Sequence, residues 1–393
     1  MRKDEEIHPK ERCIMPGTAA GGYCLTRDQL MCDLYRAYLD ARRHKRGKAY
    51  QMKFELHLED NLHILCNDLW NRTYKPLPSK CFVITDPTLR EVFAADFRDR
   101  VVHHLYYNYV YDLFDRTFIN DCYSCRKGRG TLYGVRRMER HIREVSQNFT
   151  QPCYVLKMDI SGYFMHIDRQ RLLNIALQTL FNSPLKWEKQ SLDEVNSLPL
   201  MEGWGGSSFL CYLTREIVLL DPTEGCRKFG RAEDWNRLPH DKSLFHSPKG
   251  QGLRVNRDKT VIYDVRHGVP FLGCFLKPGR TYIGNASWHR MKRHLLREVE
   301  HAGVLRLRSC VNSYLGLLRH VNSYKLSQNF FLSIPRLRSL GFIAFFDRKL
   351  VLSDYTLDTL MLNNVLRMIQ DEDYPIEYTD VELWCHEYID NYL

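Results

Sequence analysis

The chain lacks any long apolar run, and this absence excludes several classes of protein. No uninterrupted apolar stretch approaches the roughly 18 residues that a membrane-spanning helix needs. The N-terminus also lacks the apolar core of a secretory signal peptide. There is no internal repeat and no low-complexity tract. The sequence therefore predicts a soluble protein of the reducing cytoplasm, without a membrane partner.

A second pair of closely spaced cysteines is also lacking. Thirteen cysteines are scattered over 393 residues, and Cys122 with Cys125 forms the one C-x-x-C pair. A structural zinc site usually draws on two such pairs or on a pair with histidines at fixed spacing. The cysteines are therefore predicted to be reduced and structural, and the single pair indicates a metal only weakly.

Positive charge is abundant but unevenly placed. Lys and Arg outnumber Asp and Glu by 57 to 47, which gives a net charge of +10. The tail Asp371–Leu393 holds eight acidic residues and no Lys or Arg, so residues 1 to 370 carry +18. A basic body suits a polyanion, because cations that neutralise phosphates release counterions. Nucleic acid is the first predicted partner, while the tail is either solvated or docked on a basic surface.

Amphipathic patterns predict helices early in the chain. Residues 1 to 25 are polar and predicted to be loosely ordered. Thr26 and Gln29 have the spacing of a capping box, and a helical repeat of apolar residues follows them. A second helix is indicated by four leucines on one face. These are Leu58, Leu62, Leu65 and Leu69.

Two strands and a further helix are predicted next. Residues 81 to 85 and 89 to 94 read as strands joined by a turn at Asp86 and Pro87. In the helical segment that follows, apolar residues recur every four positions from Phe97, which leaves Arg98 and Arg100 free to face a ligand. Further on, three cations and two glycines lie between residues 125 and 131. Such a loop either approaches phosphate or is an ordinary turn.

Asp159 stands at the end of an apolar stretch around which the chain is organised. Residues 154 to 158 are apolar apart from one Lys, begin after Pro152 and end before Gly162, so a buried strand is predicted. A carboxylate at a strand end needs hydrogen bonds, a cation or a metal. Asp159 is therefore interpreted either as a metal ligand or as the cap of a turn.

The rest of the chain alternates between these element types. Helices are predicted from about residue 168, over 210 to 220, over 291 to 304 and over 310 to 326, with loop over 221 to 253. Strands are predicted around 261 to 263 and 269 to 273. Because mixed elements come first and helices last, the predicted class is α+β.

Seven stretches of the chain, taken together and in order, resemble one known family. They are Arg90–His104, Phe118–Thr131, Lys157–Arg169, Tyr212–Ile217, Asp221–Cys226, Gly268–Gly273 and Asn312–His320. They resemble reverse transcriptases, most of all those of diversity-generating retroelements, in which Gly268–Gly273 would be the primer grip. The resemblance covers roughly residues 26 to 345, and a group II intron or retron enzyme is the lesser alternative.

The resemblance implies a right-hand polymerase with fingers over 26–150, palm over 151–275 and a helical thumb over 276–370, before the acidic tail of 371–393. Such an enzyme copies template RNA into cDNA from a DNA or RNA primer with dNTPs. It uses Mg²⁺ or Mn²⁺ ions that carboxylates bridge. The family also implies an accessory helical protein of the variability-determinant type.

The resemblance assigns roles to individual residues. Asp159 matches the first catalytic aspartate, with the Ile160 carbonyl as an additional metal ligand. Lys259 matches the lysine near the leaving pyrophosphate, and its alternative is an exposed turn lysine. Arg90 would face the incoming triphosphate. Phe164 would exclude a 2′-OH group, and its alternative is a core residue.

The nucleic acid would lie against the basic residues of the fingers. Asp99 is expected to hold neighbouring arginines in place rather than to touch substrate. The predicted nucleic-acid-binding residues are Arg98, Arg100, Arg126, Lys127 and Arg129.

One part of the family pattern is missing. The family has a Tyr-x-Asp-Asp hairpin, preceded by a helix that carries a Gln, and this chain has neither. It passes from Gly250–Leu253 directly into Arg254–Thr260, so several tens of residues are absent. The palm is therefore predicted to be incomplete, with uncovered strand edges and apolar faces. Polymerase activity is predicted to be absent or very weak, and the alternative is a non-catalytic remnant that binds RNA or a partner.

Overall fold

The computed structural model describes residues 24–43, 48–85, 89–181, 204–238, 243–244, 249–345 and 348–370. The predicted loose N-terminus lies almost entirely outside these residues, and so do the predicted turn at Asp86 and Pro87 and the acidic tail. Helices and strands both occur along the described chain, which confirms the α+β class.

The elements are interleaved along the sequence. In chain order the helices are α1 (Arg27–Arg42), α2 (Ala49–Glu55), α3 (Leu58–Trp70), α4 (Phe97–Asp115), α5 (Thr131–Val145), α6 (Tyr163–His166), α7 (Arg169–Phe181), α8 (Gly206–Val218), α9 (Ala232–Asn236), α10 (Asn285–His301), α11 (Val304–Leu318), α12 (Tyr324–Leu332), α13 (Pro335–Leu340) and α14 (Asp354–Gln370). The strands are β1 (Cys24–Leu25), β2 (Lys80–Ile84), β3 (Arg90–Ala94), β4 (Tyr154–Lys157), β5 (Trp204–Gly205), β6 (Arg227–Phe229), β7 (Val261–Asp264), β8 (Val269–Phe271), β9 (Cys274–Lys277), β10 (Arg280–Ile283), β11 (Gly341–Ala344) and β12 (Lys349–Leu352).

Contacts divide the chain into two units. Of the described residues, those within Ile7–Phe118 and Met158–Thr260 form the first unit, and those within Ile119–Lys157 and from Val261 to residue 370 form the second unit. Among the described residues each unit has its own buried apolar core, with one core in the first unit and two in the second. The division into fingers, palm and thumb stays a prediction.

The first unit is built on the helices that the sequence predicts. The side-chain oxygen of Thr26 accepts the Gln29 N–H at 3.2 Å, which caps α1 as its spacing indicates. Leu30 and Leu34 of α1 are fully buried in the core of this unit. Three of the four leucines of α3 and the apolar face of α4 are buried in the same core, and Leu58 packs against it. Burial of this kind supplies most of the stability of helices in proteins.

The predicted pair of strands after α3 is confirmed and gains a third member. β2 lies between β3, which is antiparallel to it, and β6, which is parallel to it. β6 comes from the stretch predicted as loop, and α9 follows it there. The pairing of β2 with β6 joins residues more than a hundred positions apart, a distance that local patterns do not report.

The prediction that residues 154 to 158 form a buried strand is wrong in its burial. β4 pairs with β7 in a two-stranded sheet, and Val155 and Tyr263 on one face pack against an apolar core of the second unit. On the other face Leu156 and Ile262 are 52% and 66% exposed. The strand is apolar in sequence, but in the described chain only one of its faces has a covering layer.

The expectation of a purely helical C-terminal region is also wrong. β11 and β12 form an antiparallel hairpin within it. A Cβ atom at Gly341 would lie only 1.9 Å from the Val351 carbonyl oxygen, so this close approach of two backbones requires glycine. The helix predicted over 310 to 326 ends at Leu318, and α12 begins at Tyr324.

Candidate functional site

Asp159 lies on a segment whose backbone is paired with the residues that follow Leu253. Ile160 stands opposite Val255 in an antiparallel bridge. The Asn256 N–H donates to the Asp159 carbonyl at 2.7 Å, and the Ser161 N–H donates to the Arg254 carbonyl at 2.9 Å. Residues 254 to 256 are therefore paired directly with the Asp159 segment, at the point where the resemblance predicts that a hairpin is absent.

Lys259 is the cation that pairs with Asp159. Its Nζ atom lies 3.0 Å from Asp159 Oδ2. A short 3₁₀ turn over Arg257–Lys259 positions it, since the side-chain oxygen of Asn256 accepts the N–H of Lys259 at 3.3 Å. The two side chains are 47% (Asp159) and 66% (Lys259) exposed, so solvent screens their attraction. The structure thus brings together two of the predicted catalytic residues and leaves both side chains partly exposed.

The oxygen donors at this position suit one divalent cation. The Ile160 carbonyl takes no part in the bridge to Val255, whose two hydrogen bonds run through residues 159 and 161. Asp159 and this carbonyl offer the oxygen ligands that Mg²⁺ and Mn²⁺ prefer. Within the described ranges, no three Asp, Glu, His or Cys side chains form a metal-holding group. One loosely held ion fits, with Lys259 displaced, and the described residues supply no further group that would hold a second ion.

Asp264 belongs to the second unit and is engaged by a neighbour. Arg266 Nη2 lies 2.6 Å from Asp264 Oδ2, and the backbone N–H of Arg266 donates to Oδ1 at 2.9 Å. These bonds lower the pKa of Asp264 to about 2. Its carboxylate therefore has a structural role, as part of the turn that follows β7.

Phe164 is not a core residue. Its side chain is 76% exposed, and the ring packs edge-on against Tyr163 with centroids 5.2 Å apart. The turn before it requires Gly162, which has φ +51° and whose added Cβ would lie 2.5 Å from the His166 ring. The turn after Asp159 therefore presents an uncovered aromatic ring, which the predicted role in sugar selection needs.

Arg90 and Glu91 point to opposite sides of β3. Arg90 is exposed at the start of the strand, opposite Ile84. Glu91 is 4% exposed and accepts hydrogen bonds from the Ser243 hydroxyl, at 2.9 Å, and from the Leu244 N–H. The sequence interpretation missed Glu91, although strand alternation places this charge on the inner face. Its hydrogen bonds hold Ser243 and Leu244 against β3.

The interpretation that Arg98 is free to face a ligand is wrong. Its guanidinium donates to Asp68 at 2.5 Å and to the Lys75 carbonyl at 3.2 Å, and it lies over the Tyr74 ring. The side chain is 19% exposed. Arg100 donates to the Ala95 carbonyl at 2.9 Å. Both arginines therefore stabilise the first unit, whatever else they contact.

Asp99 is the buried centre of the same region. It is 1% exposed and accepts hydrogen bonds from the Tyr74 hydroxyl at 3.0 Å and the Leu77 N–H at 2.8 Å. Arg98 Nη1 lies 3.3 Å away, which confirms that Asp99 holds a neighbouring arginine. Burial raises the pKa of Asp99, and the hydrogen bonds from Leu77 and Tyr74 oppose that rise.

The glycine-rich loop is tied together by two of its own arginines. Arg126 is buried and donates to the Ile119 carbonyl at 2.7 Å. Arg129 donates to the Asn120 carbonyl at 3.0 Å and lies over the Tyr133 ring. Lys127 is exposed between them. The contacts of Arg126 therefore fit an ordinary turn, which was the alternative to a phosphate-binding loop. Lys127 is the most accessible of the three cations.

A carboxylate just before this loop was missed by the sequence interpretation. Asp121 accepts two hydrogen bonds from Arg137, at 2.7 and 3.1 Å, and contacts His141 Nε2 at 2.9 Å. The Tyr123 hydroxyl also donates to it at 2.8 Å. The Arg137 guanidinium holds the pKa of Asp121 well below its usual range. The signal is an Arg and a His one helical turn apart on α5, which together anchor the loop to the helix.

A second charged cluster that was missed lies around Asp221. The Lys249 ammonium is 2.8 Å from its carboxylate and the Arg169 guanidinium is 3.5 Å away. The Thr223 hydroxyl and N–H donate to it at 2.7 and 2.9 Å. Burial opposes ionisation, but the bonds from Lys249 and Thr223 prevail and lower the pKa of Asp221. These partners come from separate segments, so spacing alone does not reveal the cluster.

No protein-family model matches this chain, and neither does any curated protein sequence. The assignment to the reverse transcriptases therefore rests on the motifs alone and stays a prediction. Across the helices described above, none is long and apolar enough to span a bilayer.

Proposed function

We propose that this chain is a cytoplasmic reverse-transcriptase-type protein of the diversity-generating retroelement kind. It binds RNA template and primer and works with an accessory helical protein, but its own polymerase activity is absent or very weak. The supporting observation is the surroundings of Asp159. This carboxylate is paired with Lys259 at 3.0 Å, and the backbone of residues 254 to 256 is closed against it.

The chemistry explains why this geometry favours inactivity. Nucleotidyl transfer by two metal ions needs carboxylates that bridge ions a few ångströms apart. Asp159 offers one such group, and Lys259 already neutralises it. Those residues of the chain that are described contain no carboxylate cluster that could hold a metal in its place. Asp159 and the Ile160 carbonyl would hold one Mg²⁺ or Mn²⁺, which supplies electrostatic neutralisation of phosphate charge.

Binding without turnover is supported by the residues next to Asp159. Arg254 and Arg257 are exposed and line an open cavity of about 760 Å³ together with Val255 and Thr260. Two guanidinium groups on an open surface suit the phosphates of a strand. An RNA-binding remnant of a polymerase is therefore the alternative that the geometry also favours.

The test is primer extension on an RNA template with dNTPs and either Mg²⁺ or Mn²⁺. The wild-type chain, Asp159→Ala and the neighbouring control Asp258→Ala should all leave the primer unextended. Robust extension by the wild type and by Asp258→Ala, lost in Asp159→Ala, would contradict the proposed inactivity.

RNA binding is measured on the same proteins to separate the two parts of the proposal. Affinity should fall linearly with salt on logarithmic axes, because binding releases counterions. It should weaken in Arg254→Ala/Arg257→Ala and persist in Asp258→Ala. Affinity that is undetectable, or that does not change with salt, would count against an RNA-binding function whatever the extension assay shows.

A further inference from the structure

The second unit contains a basic pocket that the proposed function does not use. It has a volume of about 330 Å³ and is formed by the end of α5, the hairpin of β9 and β10, and the residues after α11. Ile142 and Leu276 are buried among its lining residues. A concave site of this size lies at the small end of the range for ligand pockets.

Four cations surround this pocket and face one carboxylate. Arg143 comes from α5, Lys277 and Arg280 from the hairpin, and Arg319 from the end of α11, with His320 beside it. These side chains are exposed. Throughout the described residues, none of the three arginines forms an ion pair or a side-chain hydrogen bond with the protein.

The single carboxylate of the pocket is already engaged. Glu139 accepts a hydrogen bond from the Thr281 hydroxyl, and the Asn322 N–H donates to the Thr281 carbonyl at 2.7 Å. Thr281 is 7% exposed, so these bonds join the three walls at a buried point. The walls are thereby fixed relative to one another, and a ligand does not have to order them.

The cations can lie close together without ion pairs to the protein because two helices end here. Arg143 lies in the last turn of α5, and Arg319 is the C-cap of α11. The negative end of a helix dipole favours cations at such positions. This eases their mutual repulsion but leaves the outward hydrogen-bond donors of the guanidinium groups unused, and these donors match phosphate oxygens in pairs.

We propose that this pocket binds a compact polyphosphate, either free or as the 5′ end of an RNA. Several adjacent negative charges are needed to satisfy four cations, and a single phosphodiester does not supply them. The inference does not depend on the polymerase assignment, since no residue of the Asp159 segment takes part.

The test uses the full-length chain and inorganic tripolyphosphate, titrated at low salt by calorimetry. The wild type should bind it saturably, and Arg280→Ala and Arg319→Ala should each weaken binding about tenfold, because each removes a charge-assisted pair of hydrogen bonds. Arg338→Ala removes an exposed arginine of the same unit outside the pocket and should bind like the wild type. Arg280→Lys keeps the positive charge but loses the paired hydrogen-bond donors of the guanidinium group. Its affinity for tripolyphosphate should therefore lie between those of Arg280→Ala and the wild type.

A second arm distinguishes the two sources of the ligand. One RNA oligonucleotide is compared with a 5′-triphosphate and with a 5′-hydroxyl. Tighter binding of the triphosphate form, lost in Arg280→Ala, assigns the pocket to RNA ends, whereas equal binding assigns it to free polyphosphate. No tripolyphosphate binding by the wild type, or an equal loss in Arg338→Ala, would overturn the proposal.

Discussion

Asp99 and Asp159 are two carboxylates of the first unit with opposite surroundings. Asp99 is 1% exposed and accepts hydrogen bonds from Tyr74 and Leu77. Asp159 has a side chain that is 47% exposed and pairs with a lysine that is itself 66% exposed. Both oxygens of a buried carboxylate need hydrogen-bond partners, and losing one of these partners costs free energy. An exposed one can release a lysine and accept a ligand, so the difference separates a structural carboxylate from one available for function.

The largest expected effect is the loss of free energy of unfolding in Asp99→Ala. Asp99→Ala leaves the Tyr74 hydroxyl and the Leu77 N–H without their acceptor, so the free energy of unfolding should fall by about 3 kcal/mol. Asp159→Ala should change it by less than about 0.5 kcal/mol, because its ion pair is screened. Urea denaturation monitored by circular dichroism measures both. Equal losses would show that burial does not separate the two carboxylates.

The sequence predicts the helices of this unit well because their signals are local. The cap at Thr26 and the leucine repeat of α3 act within one or two turns, and both are found as predicted. The hydrogen bonds and ion pairs of the carboxylates involve residues that are distant in sequence, so the sequence predicts fewer of them. The strand-end position points to Asp159 and the resemblance points to Lys259, yet their contact at 3.0 Å is a property of the fold.

For β4 the sequence predicts the strand but not how much of it is buried. Its apolar residues fit a buried strand, but Leu156 is 52% exposed because one face of the β4–β7 ribbon has no layer over it in the described chain. An apolar run indicates that a strand can be covered and does not indicate that a covering element is present.

The exposure of Asp221 is intermediate between those of Asp99 and Asp159. Its substitution should therefore change the free energy of unfolding by an intermediate amount, and the change should depend on pH. Its side chain is 20% exposed, and Lys249 and Thr223 donate to it. Asp221→Asn should lower the free energy of unfolding by about 1–2 kcal/mol near pH 7, because hydrogen bonds to a charged group are lost. Asp258→Asn, at an exposed carboxylate of the same unit, should have almost no effect.

The sign of the pH dependence follows from the lowered pKa of Asp221. The folded protein binds this proton more weakly than the unfolded chain, whose Asp pKa is about 3.9. The stabilisation is therefore present above about pH 4 and is lost as the pH falls towards the folded pKa. Denaturation curves at several pH values should show a shallower acid-side loss in Asp221→Asn than in the wild type. The same slope in both proteins would show that other carboxylates carry the acid sensitivity.

The smallest effect on stability is expected from Lys259→Ala. The same substitution tests whether Asp159 binds a divalent cation. Lys259→Ala should alter the free energy of unfolding by less than about 0.5 kcal/mol, since an exposed ion pair contributes little. It also removes a positive charge 3.0 Å from Asp159, so Mn²⁺ should bind several-fold more tightly. Electron paramagnetic resonance of free Mn²⁺ measures this affinity. The gain should disappear in Lys259→Ala/Asp159→Ala, and a gain that persists there would mean that Asp159 is as structural as Asp99 and does not ligate the ion.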